Sequence, residues 1–408
     1  MNIYLVLILT ALIGEFLLRS VARYLNLKTV DGKLPAEFKG FYDEEKYSQS
    51  QEYMKVNTKF AYVSSTFGTV LIVGFILLGG FNFVDQFVRG FSLDPILSGL
   101  LFCGILYLGQ DIISTPFTVY RNFVIEERFG FNKMTVKTFL FDKLKVYIVG
   151  GILGAIVLGS VLFFFEKTGT YAWLYAWGLV SCFILILQPL YTAVIAPLFN
   201  KFTPLEAGEL RDAMEAYADQ VRFPVKEICV MDGSRRSAHT NAYFSGFIKK
   251  RIALFDTLIE AHSIAELVAI IAHEVGHYKR KHILKGMIIS IIHGGIVFFL
   301  LSLFIDNRGL FDAFKMEAIS VYAGLLFFSI LYSPIELVLS IVMNVISRKH
   351  EYEADVFATE TTKSAEPLIL ALKNLSVFNL GHLTPHPLTV ILNYSHPPVL
   401  QRIAALRR

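Results

Sequence analysis

Seven apolar stretches, each close to the ~20 residues that cross a bilayer, constrain this chain more than any other feature. They lie at roughly 3–22, 60–83, 95–119, 147–166, 172–199, 285–305 and 318–346. A chain of 408 residues that is 54% hydrophobic and only 18% charged, with a mean hydropathy of +0.53, is too apolar for an ordinary soluble enzyme of that length. The expected fold class is mainly α: a polytopic membrane protein of about seven transmembrane helices with a small α+β domain, working in contact with the lipid bilayer.

The polar linkers set an orientation, because Lys and Arg collect on the cytoplasmic side. Between spans one and two lie Arg23, Lys28, Lys33, Lys39, Lys46, Lys55 and Lys59, and between three and four lie Arg121, Arg128, Lys133, Lys137, Lys143 and Lys145. The alternate linkers hold only Arg89, then Lys167, then Arg308 and Lys315. This alternation places the N-terminus outside and the C-terminus in the cytosol. The first apolar run has no basic residue before it, and Arg19 and Arg23 close it, which reads as a retained helix rather than a cleaved signal. A net charge of +4 is mild and points to no nucleic acid. Cys103, Cys182 and Cys229 share no metal-binding or disulfide spacing.

Four regions follow: 1–199 with spans one to five, a polar interval at 200–284, 285–346 with spans six and seven, and a helical C-terminal region at 347–408. In the polar interval, Thr203-Pro204 reads as a helix start with Pro in the first turn. Short β-type runs follow at 227–231, 240–247 and 251–255, with Gly246 and the neighbouring lysines marking a turn between the last two. Ser263 stands three residues before Glu266, a capping box, and Ile264, Leu267, Val268, Ile271 and Val275 repeat at helical spacing, so a helix is expected over 264–283. A polar helix is expected from 347 to about 362.

HEVGH at 273–277 falls inside the capped helix. Four residues advance a helix by about 40° beyond a full turn, so His273 and His277 leave from one face and can hold one Zn²⁺. Glu274 can then take a proton from a water at the open coordination position. A catalytic zinc takes a third protein ligand from elsewhere. Of the acidic residues in EYEAD at 351–355, Glu351 and Asp355 lie one turn apart with the small Ala354 and Ala358, a face that could pack closely around Gly276. Glu353 points almost the opposite way. Glu351 is therefore the expected third ligand and Asp355 the acceptor that orients a ligand histidine. SHPP at 395–398 offers His396 to a developing oxyanion, and it also reads as a plain helix cap with an early Pro. HTNAYFSGF at 239–247 can offer a strand edge to an extended peptide, or be an ordinary strand. Glu15, Asp111, His293 and Glu336 are ionisable residues inside spans and should face a polar interior.

These segments resemble a known family, the type I CAAX prenyl endopeptidases, integral-membrane zinc proteases. The resemblance rests on PFTVYRNFVIEERFGFNKMT at 116–135, SAHTNAYFSGFIKKRIALFDTLI at 237–259, HEVGHYKRKH at 273–282, SRKHEYEADVFA at 347–358 and NYSHPPVLQRI at 393–403. It implies Glu351 as third zinc ligand with Asp355 supporting a histidine, His396 and Arg402 near the substrate carbonyl, and Asn241, Ala242 and Tyr243 on the substrate-binding edge strand. It further implies seven helices around a water-filled intramembrane chamber, one Zn²⁺ per chain, and a peptide or protein substrate with a prenylated C-terminus. The compact length is similar to that of bacterial members, which favours a bacterial inner membrane, with the endoplasmic reticulum membrane expected for a eukaryotic source. A membrane quality-control metalloprotease and a non-catalytic zinc-binding membrane protein are the competing functions.

Overall fold

Within hydrocarbon a spanning segment must satisfy all its own backbone groups, which helices do. The structure, a computed structural model, describes residues 2–30, 32–240, 242–245 and 250–408, with 242–245 and 250 described through their backbone alone. Among the described residues seven helices are long and apolar enough to cross a membrane: Ile3–Lys28, Glu44–Leu77, Pro95–Glu126, Val136–Lys167, Gly169–Phe199, His282–Phe304 and Val321–Thr362.

Several boundaries differ from the sequence reading, and three of them have a plain local reason. The second span starts early because Asp43 caps Glu44–Leu77 by accepting from the Lys46 N–H. It stops at Leu77 because Gly79 turns left-handed (φ 76°) and a separate helix, Gly80–Arg89, takes the last residues assigned to it. The HEVGH helix ends at Lys279 rather than 283, because Lys281 is left-handed (φ 58°) and His282 begins the sixth span. The polar helix expected from 347 is no separate element. It continues the seventh span as one 42-residue helix, about 63 Å long against a hydrocarbon core of about 30 Å. EYEAD is thereby carried rigidly out of the bundle.

The basic linkers gather at one end of the bundle with the polar domain. Asn132 bridges Ser237, Arg236 donates to Asp142 at 2.7 Å, and Lys373 and Arg407 both pair with Glu37. The poorly charged linkers meet elsewhere: Asn2 donates to the Gly309 carbonyl, Asn82 accepts from the Glu317 N–H, and Tyr322 donates to Asp85. Phe81, Phe311, Phe314 and Phe327 seal that end. The N-terminal Asn2 lies with the second group and the C-terminal Arg407 with the first, the opposite placement of termini that an odd number of spans requires.

Between spans one, four, five, six and seven lies a cavity of about 880 Å³, lined by Glu15, Arg19, Val157, Val180, His293, Val297, Tyr332 and Glu336 among others. Three of the four intramembrane ionisable residues thus face the expected chamber. Asp111 instead pairs with Lys143 at 2.7 Å and accepts from Tyr147.

The polar domain is built on a four-stranded sheet, β1 (Phe202–Pro204), β2 (Val225–Met231), β3 (Ala242–Ser245) and β4 (Lys250–Phe255), in the order β1-β2-β4-β3. β2 and β4 run parallel, and β1 and β3 are antiparallel to their neighbours. Thr203-Pro204 does not open a helix: it lies in β1, an edge strand where proline's missing N–H is tolerated, and the helix begins at Glu209. The expected turn at Gly246 lies outside the described residues. Leu254 and Leu258 pack with Leu267, Ile271 and Val275 of the HEVGH helix, and Ala358 joins this core.

Candidate metal centre

The HEVGH helix, Ile264–Lys279, opens with the expected reciprocal cap: Ser263 Oγ accepts from the Glu266 N–H and Glu266 Oε2 from the Ser263 N–H. With its apolar face committed to the sheet, its histidines turn toward the long seventh helix. Gly276 is the point of closest approach. A Cβ there would lie 3.0 Å from Ala354 Cα and 3.1 Å from the Ala354 carbonyl oxygen, contacts so tight that the backbone of the seventh helix would have to give way. Gly276→Ala is expected to cost about 1–3 kcal/mol by overpacking and to weaken metal binding by moving Glu351 away. Thermal unfolding and equilibrium metal titration measure both, and unchanged metal affinity would show that this contact does not set the ligand spacing.

His273 Nε2 and His277 Nε2 lie 3.1 Å apart, and the carboxylate oxygens of Glu351 stand 3.4 Å from the first and 3.3 Å from the second. All three ligand atoms fall within 4.8 Å of one another. Tetrahedral ligands about 2.1 Å from a common ion are themselves about 3.4 Å apart, so the spacing fits a single ion. Glu351 is 3% exposed, yet its Oε2 has no hydrogen bond. The Arg402 guanidinium, 3.4 Å from this oxygen, offsets part of the cost of burying it without a hydrogen bond, and a cation held between the two histidines would offset more.

Behind the ligands, Asp355 Oδ1 sits 2.9 Å from His273 Nδ1, which puts the ring proton on Nδ1 and leaves Nε2 free to ligate. Burial disfavours the charged His273 ring, but hydrogen bonds to Asp355 and Glu351 outweigh it and raise the pKa to about 9. The carboxylates therefore favour a cation here, whether proton or metal. Arg402 is buried and fully engaged. Its Nε donates to Asp355 Oδ2 at 2.8 Å and Nη2 to Oδ1 at 2.5 Å, while Nη1 is 3.4 Å from Glu351 Oε2. Its guanidinium thus faces the carboxylates rather than standing free for a substrate carbonyl.

Glu274 is partly exposed and lines a cleft of about 100 Å³ with Leu258, Ile270, His273, Leu368 and Arg402. His396 Nε2 comes within 3.3 Å of Glu351 Oε1 from an exposed position, with Ser395 Oγ 3.0 Å from its Nδ1. Residues far apart in sequence thus meet at one place. Asn241 lies outside the described residues. Ala242 and Tyr243 lie on β3, paired with Leu254 and Ala253, at the sheet edge beside the HEVGH helix.

Two further groups make contacts that the sequence alone does not assign. His239, which leads into β3, has Nε2 3.3 Å from Glu126 Oε2 and Nδ1 3.1 Å from Asn379 Oδ1, and it stacks on Phe131. The approach to the edge strand is therefore tied to the third span. His282 and Glu353 reach the metal site behind His277.

Residues 23–201 match the family described as CAAX prenyl protease N-terminal, five membrane helices, and 204–408 match peptidase family M48. The chain belongs to the M48 CAAX prenyl proteases. It is similar to the CAAX prenyl protease 1 homolog of Arabidopsis thaliana, 36% identical over 94% of this chain and 93% of that protein, and to CAAX prenyl protease 1 of Saccharomyces cerevisiae, 32% identical over 97% and 93%. The crystal structure of S. mikatae Ste24p superposes with a TM-score of 0.92 at 32% identity, covering 100% of this chain and 99% of that one. This M48 CAAX prenyl protease is a membrane metalloendopeptidase with the chamber fold of that structure. These two relatives are covered almost end to end.

Proposed function

We propose that this protease cleaves near the C-terminus of prenylated peptides with one zinc ion held by His273, His277 and Glu351. The observation that carries the reading is the spacing of their three ligand atoms around a carboxylate oxygen that has no hydrogen-bond partner. Two imidazoles and a carboxylate form a catalytic zinc donor set with a fourth position open. When bound, the ion would polarise the scissile carbonyl and acidify a water.

The chain's own residues do the rest. Glu274 accepts the proton of the attacking water and returns it to the departing amide nitrogen. His396, exposed beside Glu351, donates to the carbonyl oxygen as it gains charge. Ala242 and Tyr243 extend the sheet onto the substrate backbone, so that the peptide binds as one more strand. Arg402 we assign to fixing Asp355 and Glu351, because those carboxylates engage it. On the charge alternation, the polar domain and basic linkers lie on the cytosolic side and the N-terminus outside. Substrates would then enter from the cytosol, with the prenyl chain in the intramembrane cavity.

Paired peptides of one CAAX sequence, farnesylated and unmodified, test the substrate class in kcat/KM. Because each buried CH₂ is worth about 0.8 kcal/mol, the farnesylated peptide is expected to win by roughly tenfold or more. Equal turnover would overturn the prenyl assignment and favour a quality-control protease.

A further inference from the structure

Asp355 explains the orientation of His273, but His277 also needs a partner for its second ring nitrogen. The structure supplies one that the ligand set does not include. His277 Nδ1 lies 3.0 Å from His282 Nδ1, and His282 Nε2 lies 3.0 Å from Glu353 Oε2. His282 is 6% exposed and is clamped flat against His350, with ring centroids 3.9 Å apart and planes within 8°.

Local backbone geometry places it there. Lys281 adopts φ 58° between the HEVGH helix and the sixth span, a left-handed conformation that strains a residue with a side chain. That reversal makes His282 the first residue of the next helix and turns its ring back onto His277. Glu353, on the face of the seventh helix away from Glu351 and Asp355, meets the same ring from the other side.

We propose that His282 and Glu353 are positioning residues that orient His277 for the metal, a second arm matching Asp355 on His273. This rests on the reading of His277 as a ligand. Proton counting gives the chain of bonds one direction. With His277 Nε2 facing Glu351 and the metal position, its ring proton sits on Nδ1 and donates to His282 Nδ1. His282 must then carry its own proton on Nε2, where the Glu353 carboxylate accepts it. Each atom has one role, and the negative charge at the far end raises the basicity of the ligand nitrogen.

The test uses full-length protein in detergent and competition against a zinc chelator at fixed free zinc, which reads affinity without reference to turnover. His282→Ala and Glu353→Ala are each expected to weaken zinc binding about tenfold to a hundredfold. The double variant should be no weaker than His282→Ala, since both changes cut one chain. His282→Asn, whose amide can accept from His277 and donate to Glu353, should recover part of the loss, a rescue that a purely space-filling role would not show. If His282→Ala does not fold, His282→Asn and Glu353→Ala carry the test. Wild-type zinc affinity in Glu353→Ala, or losses that multiply in the double variant, would overturn the proposal. His277→Ala separates the two claims: if it also binds zinc normally, the assignment of His277 as a ligand fails, not the orienting arm alone.

Discussion

Glu274→Gln is expected to reduce kcat for peptide cleavage by about 10²–10⁴-fold, the usual contribution of a positioned general base, while the protein still binds one zinc. The geometry separates the two effects. Glu274 is not among the three residues whose ligand atoms converge. It stands beside His273 on the same helix and opens onto the cleft shared with Arg402. An amide there keeps the shape and loses the ability to take a proton. Metal analysis and a cleavage assay on the same preparation read both outcomes. Cleavage that persists in the variant would move the base elsewhere, and a function untouched by the change would return the protein to the non-catalytic class.

Legibility in the sequence followed how local each determinant is. The HEVGH helix could be read from Ser263, Glu266 and the apolar repeat because cap and period are properties of a single segment. Glu351 was within reach because Ala354 and Ala358 mark a helix face able to approach a glycine, and Gly276 is where the helices touch. Thr203-Pro204 misled because proline marks a helix start and an edge strand equally well; pairing with β2, which depends on residues some 25 positions away, decided it. The merged seventh helix was hidden because hydropathy changes at residue 347 while helix propensity does not. Glu353 was correctly placed away from the metal face, but its partner His282 lies on another helix beyond a left-handed lysine, and no periodicity crosses such a break. Nor does any pattern pair His239 with Glu126 or Asn379.

Arg402→Leu should be the most destabilising single change near the site, about 3–5 kcal/mol, because it strands two buried carboxylates that share one cation. Asp355 and Glu351 are 2% and 3% exposed. Burial works against the charged guanidinium, yet hydrogen bonding to Asp355 and the charges of Asp355 and Glu351 outweigh it and raise its pKa further, so the residue stays a cation at every pH the protein meets. Removing it leaves Asp355 with His273 alone and frees Glu351 to swing from the position at which it meets both histidines. Zinc affinity should therefore fall together with the unfolding midpoint. Arg402→Lys should fall between the two, since an ammonium cannot fork across both Asp355 oxygens as the guanidinium does. Unfolding in detergent with and without zinc separates the contributions: a loss present in the metal-free protein belongs to the carboxylates, and an added loss in the loaded protein belongs to the ligand set. If the midpoint and zinc affinity held while kcat alone collapsed, Arg402 would act on the substrate carbonyl after all, and the site would have to open from its present geometry to let it do so.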